Sequence, residues 1–515
     1  MTGAPPGGVP AKRAVVSTRG VVAAQHPAAA EAGIRMLESG GNAVDAAIAA
    51  TLAVGVVEPW LSGLGGGGLM LARMADDGQV HALDFSMVSA RGLDPARYPL
   101  ASGNDAGLFQ WPRIEGDRNI SGYEAICVPG AVAGLGYAAE RFGRLPWREL
   151  ILPAIELAAA GLPVDWFTAL TVGVEGTSLA TCPQTRAFFL PEGKAPAAGT
   201  GLRLKNPALT DTLRRLAEAG PRDFYEGDIA QHIAGDLATG GSSIDFDDLA
   251  RYQPRPVEPA KLDYRGTRLH AMPGLTGGPA YLAAMASLAE SIVPGREPTP
   301  DAFIAYAQAL TEAYADRLAT HGHAGVTHEP GCTSHVSVID AEGNIASLTN
   351  TLLARFGAKV VLPSTGLLMN NGMMWFDPRP GTANAIAAGK RPLANMCPVL
   401  ATRDDRPAFV MGAAGGRQIV PALVQLTSFL LDFGLSLDEA FRVPRLDAST
   451  STILCDARMT PVTVATLART FPISRITDTV YPVQFAVPNA VQHEAGRNTG
   501  MAHPTTPWPI ALAQR

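Results

Sequence analysis

The stretch "TSHVSVIDAEGNIASLTNT", residues 333–351, decides the fold of this chain. Its segments "HVSVID" and "NIASLTNTLL" are rich in apolar and β-branched residues and are typical of β-strands. Three polar side chains, Thr333, Ser334 and His335, stand together at the start of the first strand. Two interpretations follow: these residues begin a strand and are satisfied by backbone groups, or the hydroxyls supply a nucleophile.

The composition of the 515-residue chain is that of a compact globular protein. Charged residues make up 17% and hydrophobic residues 47%, which predicts a sizeable core in one multilayer domain or two closely packed lobes. The net charge is −6 and no dense run of Lys and Arg occurs. Neither nucleic acid nor a membrane is therefore predicted as a partner.

The cysteines and the N-terminus indicate the cellular setting. Five scattered cysteines without ligand spacing predict neither a disulfide framework nor a zinc site. No metal or organic cofactor is expected. Pro and Gly interrupt residues 1–20, where a secretory signal would be apolar, and no apolar run is long enough for a membrane span. We expect a flexible segment over residues 1–20 and a cytoplasmic location.

The pattern along the chain predicts an α/β protein of the α+β kind. Two Ala-rich helices are expected on either side of Gly40 and Gly41, the second ending at Pro59. The Gly-rich stretch 63–70 should lead into a hairpin with an Asp77-Gly78 turn. A helical layer is predicted over 129–318, interrupted by the extended "LDYRGTRLHAMPG". Beyond it we expect strands at "HVSVID", "NIASLTNTLL", "GLLMN", "PVLATR" and "PAFVMGAAGG", and a helix near 420–433.

"GLGGGGLM", residues 63–70, is not a nucleotide-binding loop by its sequence. It lacks the Lys-Ser/Thr pair of a phosphate loop and the spacing of a dinucleotide fingerprint. Close packing of backbone is the better interpretation, because glycine removes the side chain that would keep two segments apart.

Cleavage before Thr333 would create a complete catalytic pair on one residue. The preceding "ATHGHAGVTHEPG" is polar and Gly-containing, and we expect it to be exposed and open to cutting. A freed α-amine has a pKa of about 7.7–8.0 and can accept the proton of the Thr333 hydroxyl. Spacing alone does not establish that the Cys332–Thr333 bond is cut.

Ordered motifs along nearly the whole chain resemble the γ-glutamyltransferase family of N-terminal nucleophile hydrolases. The early "ESGGNAVDAAIAATLAVGVVEPWLSGLGGGG" and the following "LDF" are similar to the opening of the family's large subunit. "FYEGDIAQHIA", "DYRGTRLHAMPG" and "EAYADR" are similar to its middle. "TSHVSVIDAEGNIASLTNT", "KRPLANM" and "GAAGGR" are similar to its small-subunit core.

The resemblance implies a fold, a maturation step and a catalytic set. The fold would be a four-layer αββα sandwich, a single domain built from a helix-rich large-subunit region, 21–332, and a small-subunit region, 333–515. Self-cleavage between Cys332 and Thr333 would expose Thr333 as the nucleophile. Thr351 would be the second active-site threonine that hydrogen-bonds it, and Gly415 and Gly416 would donate backbone N–H groups to the oxyanion. His335 is expected to orient or to be buried, since the α-amine already supplies the base.

Several positions depart from the family pattern for binding the γ-glutamyl group. Ser86 replaces the arginine for the substrate α-carboxylate, and a hydroxyl cannot replace a bidentate guanidinium. Trp375 falls where the acidic residue for the α-amine is expected, with Asp377 two residues on. The remaining replacements are Asn350 and Leu353 beside the second threonine and Ala394 and Asn395 in "PLANM". Arg355 and Arg417 are candidates to bind an acidic acyl group, or to form surface ion pairs.

These departures predict a divergent branch of the family. We expect an autoprocessed N-terminal-threonine amide hydrolase or acyltransferase acting on a small-molecule amide, with an altered γ-glutamyl clamp. The alternatives are a genuine γ-glutamyltransferase or glutathione hydrolase with a rebuilt clamp, and an uncut homologue that only binds a metabolite. Only fifteen residues, Leu318–Cys332, connect "EAYADR" to Thr333, a shorter tether than the family's. After cleavage the two chains would stay together, and a homodimer of that heterodimer is allowed.

Overall fold

The computed structural model describes residues 12–104, 111–321 and 332–515. Within them the helices are α1 Pro27–Glu38, α2 Ala43–Val57, α3 Ala131–Phe142, α4 Trp147–Ala160, α5 Trp166–Val174, α6 Gly176–Leu179, α7 Pro183–Phe189, α8 Pro207–Ala219, α9 Asp223–Glu226, α10 Asp228–Thr239, α11 Phe246–Ala250, α12 Gly278–Ser291, α13 Pro300–His321, α14 Ile419–Leu431, α15 Leu437–Ala440 and α16 Pro461–Leu467.

The strands in the same residues are mostly short and antiparallel. They are β1 Val15–Ser17, β2 Val21–Ala24, β3 Gly67–Arg73, β4 Val80–Phe85, β5 Leu100–Asn104, β6 Pro112–Ile114, β7 Leu162–Pro163, β8 Arg203–Leu204, β9 Arg255–Val257, β10 Ala260–Tyr264, β11 Thr267–Ala271, β12 Cys332–Ile339, β13 Ile345–Leu353, β14 Val399–Arg403, β15 Arg406–Ala414, β16 Leu446–Asp447, β17 Ile453–Asp456, β18 Ile473–Ile476, β19 Val487–Glu494, β20 Arg497–Ala502 and β21 Ile510–Ala513.

Two seven-stranded sheets pack face to face and form the centre of the fold. One sheet has the order β1-β20-β19-β15-β14-β11-β10, and the other β21-β2-β12-β13-β3-β4-β9. Helices α12 and α14 cover the outer face of the first sheet, and α1 and α2 cover that of the second. The predicted four-layer αββα sandwich is confirmed, and the central strands β12 and β13 are buried along their whole length.

Small and polar side chains fill the space between the two sheets. Ser337 Oγ on β12 donates to the carbonyl of Asn489 on β19 at 3.3 Å, and Ser347 Oγ on β13 donates to the carbonyl of Met411 on β15 at 3.3 Å. The ring of His335 faces Gly412, where an added Cβ would stand 2.3 Å from the ring. These bonds hold strand β12 at one distance from the opposing sheet.

Helix α2 fixes the other end of the β12–β13 hairpin. All its residues except Gly55 are buried, as expected for a helix that is apolar on all sides. Asn42 and Asp45 form a capping box at its N-terminus. The carboxylate of Asp340, in the turn after β12, accepts the Ala43 N–H at 2.9 Å and the Asn344 N–H at 2.9 Å. The hairpin turn and the helix start are therefore tied to one carboxylate.

Most predicted elements are present and three features differ. The hairpin with its turn at Gly78, the extended pair β10–β11 and the helix at 419–431 are confirmed. The strand predicted at "GLLMN" was wrong: Leu368 and Met369 make only isolated bridges to Val361 and Gly65. Within the N-terminal segment expected to be flexible, Val15–Ser17 pairs with β20. The C-terminal strands β19–β21 were not anticipated. In the described ranges, none of the helices is long and apolar enough to cross a bilayer.

We predict that Gly412→Ala destabilises the protein by separating the two sheets. The new methyl group would overlap the His335 ring, which cannot move because it is enclosed. Overpacking of this kind lowers the free energy of unfolding by about 1–3 kcal/mol, measurable by urea unfolding. Gly235→Ala in α10 is the control, since its Cβ meets nothing within 4 Å and alanine favours a helix. Equal stability of Gly412→Ala and the wild type would contradict the prediction.

Candidate active site

An irregularity in the β12–β13 ladder places the two predicted catalytic threonines side by side. Cys332 pairs with Leu353 and Ser334 pairs with Asn350, so the single residue Thr333 lies opposite both Thr351 and Leu352. Leu353, which follows the two bulged residues, has a positive φ of 88°. The bulge therefore turns the Thr351 hydroxyl towards the start of β12.

The Thr351 hydroxyl joins the predicted nucleophile to the predicted cleavage site. Thr333 Oγ1 donates a long hydrogen bond of 3.4 Å to Thr351 Oγ1. The Leu353 N–H donates to the same oxygen at 2.8 Å, and Thr351 Oγ1 in turn donates to the carbonyl oxygen of Cys332. One hydroxyl thus accepts from the nucleophile and donates to the carbonyl that the nucleophile would attack. Both threonines are buried.

Neighbouring backbone packs closely around these hydroxyls. The Gly-rich segment approaches β13 so tightly that a Cβ at Gly66 would stand 2.2 Å from the Thr351 carbonyl oxygen. Its expected role in close packing is confirmed by this contact. Ser62 Oγ donates to Ser334 Oγ at 2.9 Å, so the hydroxyl next to the predicted nucleophile already has a hydrogen-bond partner.

The two glycines after β15 have backbone conformations that suit their predicted role. Gly415 has a φ of 140° and Gly416 a φ of 55°, both unfavourable for other residues. A Cβ at Gly415 would stand 2.8 Å from the Cα of Ala486. Gly415 and Cys332 line the same cavity, so backbone at 415 faces the region of the cleavable bond.

His335 is a structural residue, as expected. Nδ1 contacts Thr349 Oγ1 at 2.8 Å and Nε2 contacts Ser337 Oγ at 3.0 Å, so both ring nitrogens have partners. Complete burial lowers the pKa of the imidazole to about 3. Burial also raises the pKa of the Cys332 thiol to about 11, which keeps the thiol protonated. Neither group competes with Thr333 as base or nucleophile at neutral pH.

One asparagine side chain connects two of the segments that carry predicted substrate-binding residues. Asn384 donates to the Trp375 carbonyl at 2.6 Å and accepts from the Leu393 N–H at 3.1 Å, which places Trp375 near the "PLANM" segment. Asn371, at the start of the turn that carries Trp375, donates its N–H to the Leu352 carbonyl at 3.2 Å. The Ser86 segment reaches the same region, because the Ser89 N–H donates to the Lys390 carbonyl at 2.9 Å.

Three buried polar atoms in this group have no hydrogen-bond partner. They are Trp375 Nε1, Asn395 Nδ2 and Asn395 Oδ1. Both side chains are about 2% exposed, and a buried unsatisfied polar group costs free energy of roughly 1–3 kcal/mol. Ala394 is also buried. This group therefore contains two donors and one acceptor without partners among the described residues.

Other candidates have structural partners. Asp377 is buried and bound in a two-point ion pair by Arg379, at 2.9 Å and 2.6 Å, so its charge is already neutralised. Asn350 uses both ends of its amide on backbone, the Thr351 N–H at 3.0 Å and the Gly63 carbonyl at 3.3 Å. Arg417 was considered as a surface pair, which was wrong: it is buried over the ring of Tyr314 and donates to the Ser449 carbonyl.

Arg355 lies apart from the other predicted acyl-binding positions. It lines the cavity that contains Cys332 and Gly415, with its guanidinium 5.7 Å from the ring centre of Tyr481. The same cavity contains Glu58 and Thr171, which sequence reasoning missed. A single acidic residue directly after the apolar helix α2 was the available signal for Glu58. Residues 322–331 of the tether, expected to be exposed, lie outside the described residues.

The described residues contain no group of three or more His, Cys, Asp or Glu side chains arranged to hold a metal ion.

Comparisons with known proteins all point to the same protein family. A sequence model described as gamma-glutamyltranspeptidase matches residues 29–323 and 318–506. The chain is 33% identical to the acylase ACY 1 proenzyme of Pseudomonas sp. (strain SE83), covering 84% of this chain and 83% of the relative. It is 30% identical to a glutathione hydrolase proenzyme of Escherichia coli (strain K12), covering 84% and 81%. A cephalosporin acylase from Bacillus halodurans has a TM-score of 0.87, with 25% identity and 100% of both chains covered.

We predict that buried His335 contributes to the loss of stability of the fold at acid pH. Because its pKa is about 3 when folded and about 6.5 when unfolded, the unfolded chain binds more protons between those pH values. The free energy of unfolding should therefore fall as the pH falls through this window. In His335→Asn that slope should decrease by up to about 1.4 kcal/mol per pH unit, measured by denaturant unfolding at several pH values.

The matched control for this measurement is His232→Asn, because His232 is exposed on α10. It should reproduce the pH dependence of the wild type. An unchanged slope in His335→Asn would show that the ring is not held neutral by the fold.

Proposed function

The chain belongs to the gamma-glutamyltranspeptidase family, and we propose that it is an enzyme that cuts itself before Thr333 and then uses Thr333 to cleave amides. Its relatives, named as acylase and glutathione hydrolase proenzymes, are enzymes of this family. The observation that carries the proposal is the hydroxyl of Thr351, which connects Thr333 Oγ1 to the Cys332 carbonyl.

Self-cleavage begins when Thr333 Oγ1 attacks the carbonyl carbon of Cys332. The Thr333 hydroxyl proton moves towards Thr351, which at the same time donates its own proton to the developing oxyanion on Cys332. The Cys332–Thr333 C–N bond then breaks, the amine takes a proton, and the Cys332 acyl group becomes an ester on Thr333. Water hydrolyses that ester, leaving a carboxylate on Cys332 and a free α-amine and hydroxyl on Thr333.

The substrate reaction repeats this chemistry with a base on the same residue. The α-amine of Thr333 accepts the hydroxyl proton while Oγ1 attacks the amide carbon of the substrate. Gly415 and Gly416 stabilise the oxyanion with backbone N–H groups, and the amine half leaves with the proton. Water or a second amine then attacks the acyl ester and regenerates Thr333. Hydrolysis and transfer differ only in this last attacking group.

The acyl group is proposed to lack the free α-amine of a γ-glutamyl donor. The three residues at the predicted clamp positions offer no free charge: Ser86 has a short hydroxyl, Trp375 is neutral, and Asp377 is neutralised by Arg379. The unsatisfied Trp375 Nε1 and Asn395 amide favour an uncharged or singly charged acyl group with hydrogen-bonding oxygens. A zwitterionic end would lose both of its counter-charges on entering this site.

Genuine γ-glutamyl transfer is kept as the second candidate because of the glutathione hydrolases among the relatives. An uncut protein that only binds a metabolite is the third candidate, and it predicts a stable single chain. The experiments below separate all three.

Thr333→Ala should remain one chain of 53.7 kDa without amidase activity. The wild type should separate under denaturing conditions into two chains, the lighter beginning at Thr333, as measured by intact mass. Ser334→Ala is the matched control and should still be cut, because the Ser334 hydroxyl bonds only Ser62 among the described partners. Cutting at this bond in Thr333→Ala would disprove the mechanism.

Thr351→Val should slow self-cleavage by about 100-fold, the effect of removing one oxyanion donor. The substitution keeps the size of the side chain and deletes the hydroxyl that bonds the Cys332 carbonyl. Thr351→Ser should largely restore the rate. The time course of chain separation after purification, followed by mass spectrometry, provides the measurement, and an unchanged rate in Thr351→Val would remove Thr351 from the mechanism.

The acyl preference can be tested with glutaryl-, butyryl- and γ-glutamyl-p-nitroanilide. Glutaryl and γ-glutamyl groups differ only in the α-amine, so we expect kcat/KM for the glutaryl compound to be higher by about tenfold or more. Butyryl, which lacks the carboxylate, shows whether an acyl charge is needed. A clear preference for γ-glutamyl would instead establish the rebuilt clamp.

A further inference from the structure

A pocket adjoins the candidate catalytic residues, and of the predicted acyl-binding positions it contains Arg355. Cys332 and Gly415, which flank the reacting carbonyl in the proposed mechanism, line one part of it. Ser86, Trp375, Ala394 and Asn395 do not line it. Much of the remaining lining comes from the segment after α2, from helix α5 and from the C-terminal loop before β21.

Three aromatic rings form much of the wall of this pocket. The rings of Trp60 and Phe167 meet edge to face with centres 6.2 Å apart, and those of Phe167 and Trp508 lie 5.6 Å apart. Lys12 holds the loop that carries Trp508, because its ammonium group donates to the carbonyls of His503, Thr506 and Pro509. The aromatic wall is therefore a built feature of the fold.

Two buried polar atoms in the same pocket have no hydrogen-bond partner. They are Glu58 Oε2 and Thr171 Oγ1, and the two side chains are 3% and 1% exposed. A buried carboxyl oxygen without a partner is costly to the free protein, and a ligand that donates a hydrogen bond to it would remove that cost.

The charges around Glu58 leave its carboxyl available. Burial, with the nearby Asp165, raises the pKa of Glu58 to about 8, and Lys12 opposes this effect. The ammonium group of Lys12 donates its hydrogen bonds to three carbonyl groups. Arg355 also lines the pocket, where it lies beside Cys332 and Tyr481. A cation that enters the pocket would thus meet a carboxyl oxygen that has no hydrogen-bond partner among the described residues.

We propose that this pocket binds the amine half of the amide, and that it favours an amine bearing a flat ring with an ammonium group beyond it. The rings of Trp60, Phe167 and Trp508 cover the ring of the ligand, and Glu58 accepts a hydrogen bond from its ammonium group, with Thr171 beside it. The inference rests on the proposed amidase function, because it assigns the second half of the same substrate.

Three amides of one acyl group test the proposal without changing the reactivity of the bond. Their amine halves are n-propylamine, 2-phenylethylamine and 2-(4-aminomethylphenyl)ethylamine, all primary alkyl amines. We expect KM to fall at each step, and the ammonium group to account for about tenfold, the effect of one charge-assisted hydrogen bond. Equal KM values for the second and third amides would overturn the proposal.

Variants identify the residues responsible for each step. Glu58→Gln should remove the advantage of the ammonium compound and keep that of the phenyl ring, and Trp508→Leu should reduce the phenyl advantage. Thr171→Val provides a second, milder test should Glu58→Gln fold poorly, and it should weaken only the ammonium effect. Glu31→Gln on the exposed face of α1 is the matched control and should behave as the wild type.

Binding of the free diamine separates this inference from the catalytic proposal. Calorimetry with 2-(4-aminomethylphenyl)ethylamine needs no amide cleavage, so binding to the wild type that is lost in Glu58→Gln supports the pocket even if no amidase activity is found. An active enzyme that binds the diamine equally well with and without Glu58 would overturn the pocket and leave the amidase proposal intact.

Discussion

The register shift between β12 and β13 is the constraint on which the candidate site depends. A regular ladder would place one residue opposite Thr333, whereas the bulge places Thr351 and Leu352 there. The extra residue turns the Thr351 hydroxyl onto the Cys332 carbonyl and lets the Leu353 N–H hold it. Glycine at 66 is required so that the neighbouring backbone can approach Thr351. Strands β12 and β13 are fully buried, and the hydrogen bonds between the two sheets keep this arrangement fixed.

Reaction and substrate choice are carried by different parts of the structure. The proposed reaction uses hydroxyls and backbone N–H groups at strand ends, whose positions follow from the two sheets. In our proposals substrate choice depends on side chains outside the two sheets, with Ser86, Trp375 and Asn395 in one half of the site and Glu58 with three aromatic rings in the other. Loops tolerate such replacement because the strands do not depend on them. This division explains how relatives named as acylases and as glutathione hydrolases share one fold.

The local sequence pattern predicted the elements with strong periodicity. It failed where contacts with residues far along the chain determine the secondary structure. The Ala-rich helices and the strands after Thr333 were predicted because their own residues prefer those conformations. "GLLMN" is apolar enough for a strand, but Met369 and Leu368 find only single bridging partners. Val15–Ser17 is a strand only because β20, nearly the whole chain away, offers it an edge. The local sequence pattern does not show which distant strand will pair with a segment.

By itself the sequence determined the family, and it predicted the nucleophile candidate and an altered amino-acid clamp, since these depend on residue identity along the chain. Only the tertiary structure decided which of those residues have partners. Arg417 is buried with its guanidinium over the ring of Tyr314, and Asp377 is neutralised by Arg379. The side-chain oxygen of Asn350 accepts a hydrogen bond from the Thr351 N–H. Glu58 and Thr171, 113 positions apart in the sequence numbering, meet in one pocket with unsatisfied polar atoms. The physical reason is that hydrogen bonding and burial are properties of the surroundings of a side chain, and folding brings those surroundings from distant parts of the chain.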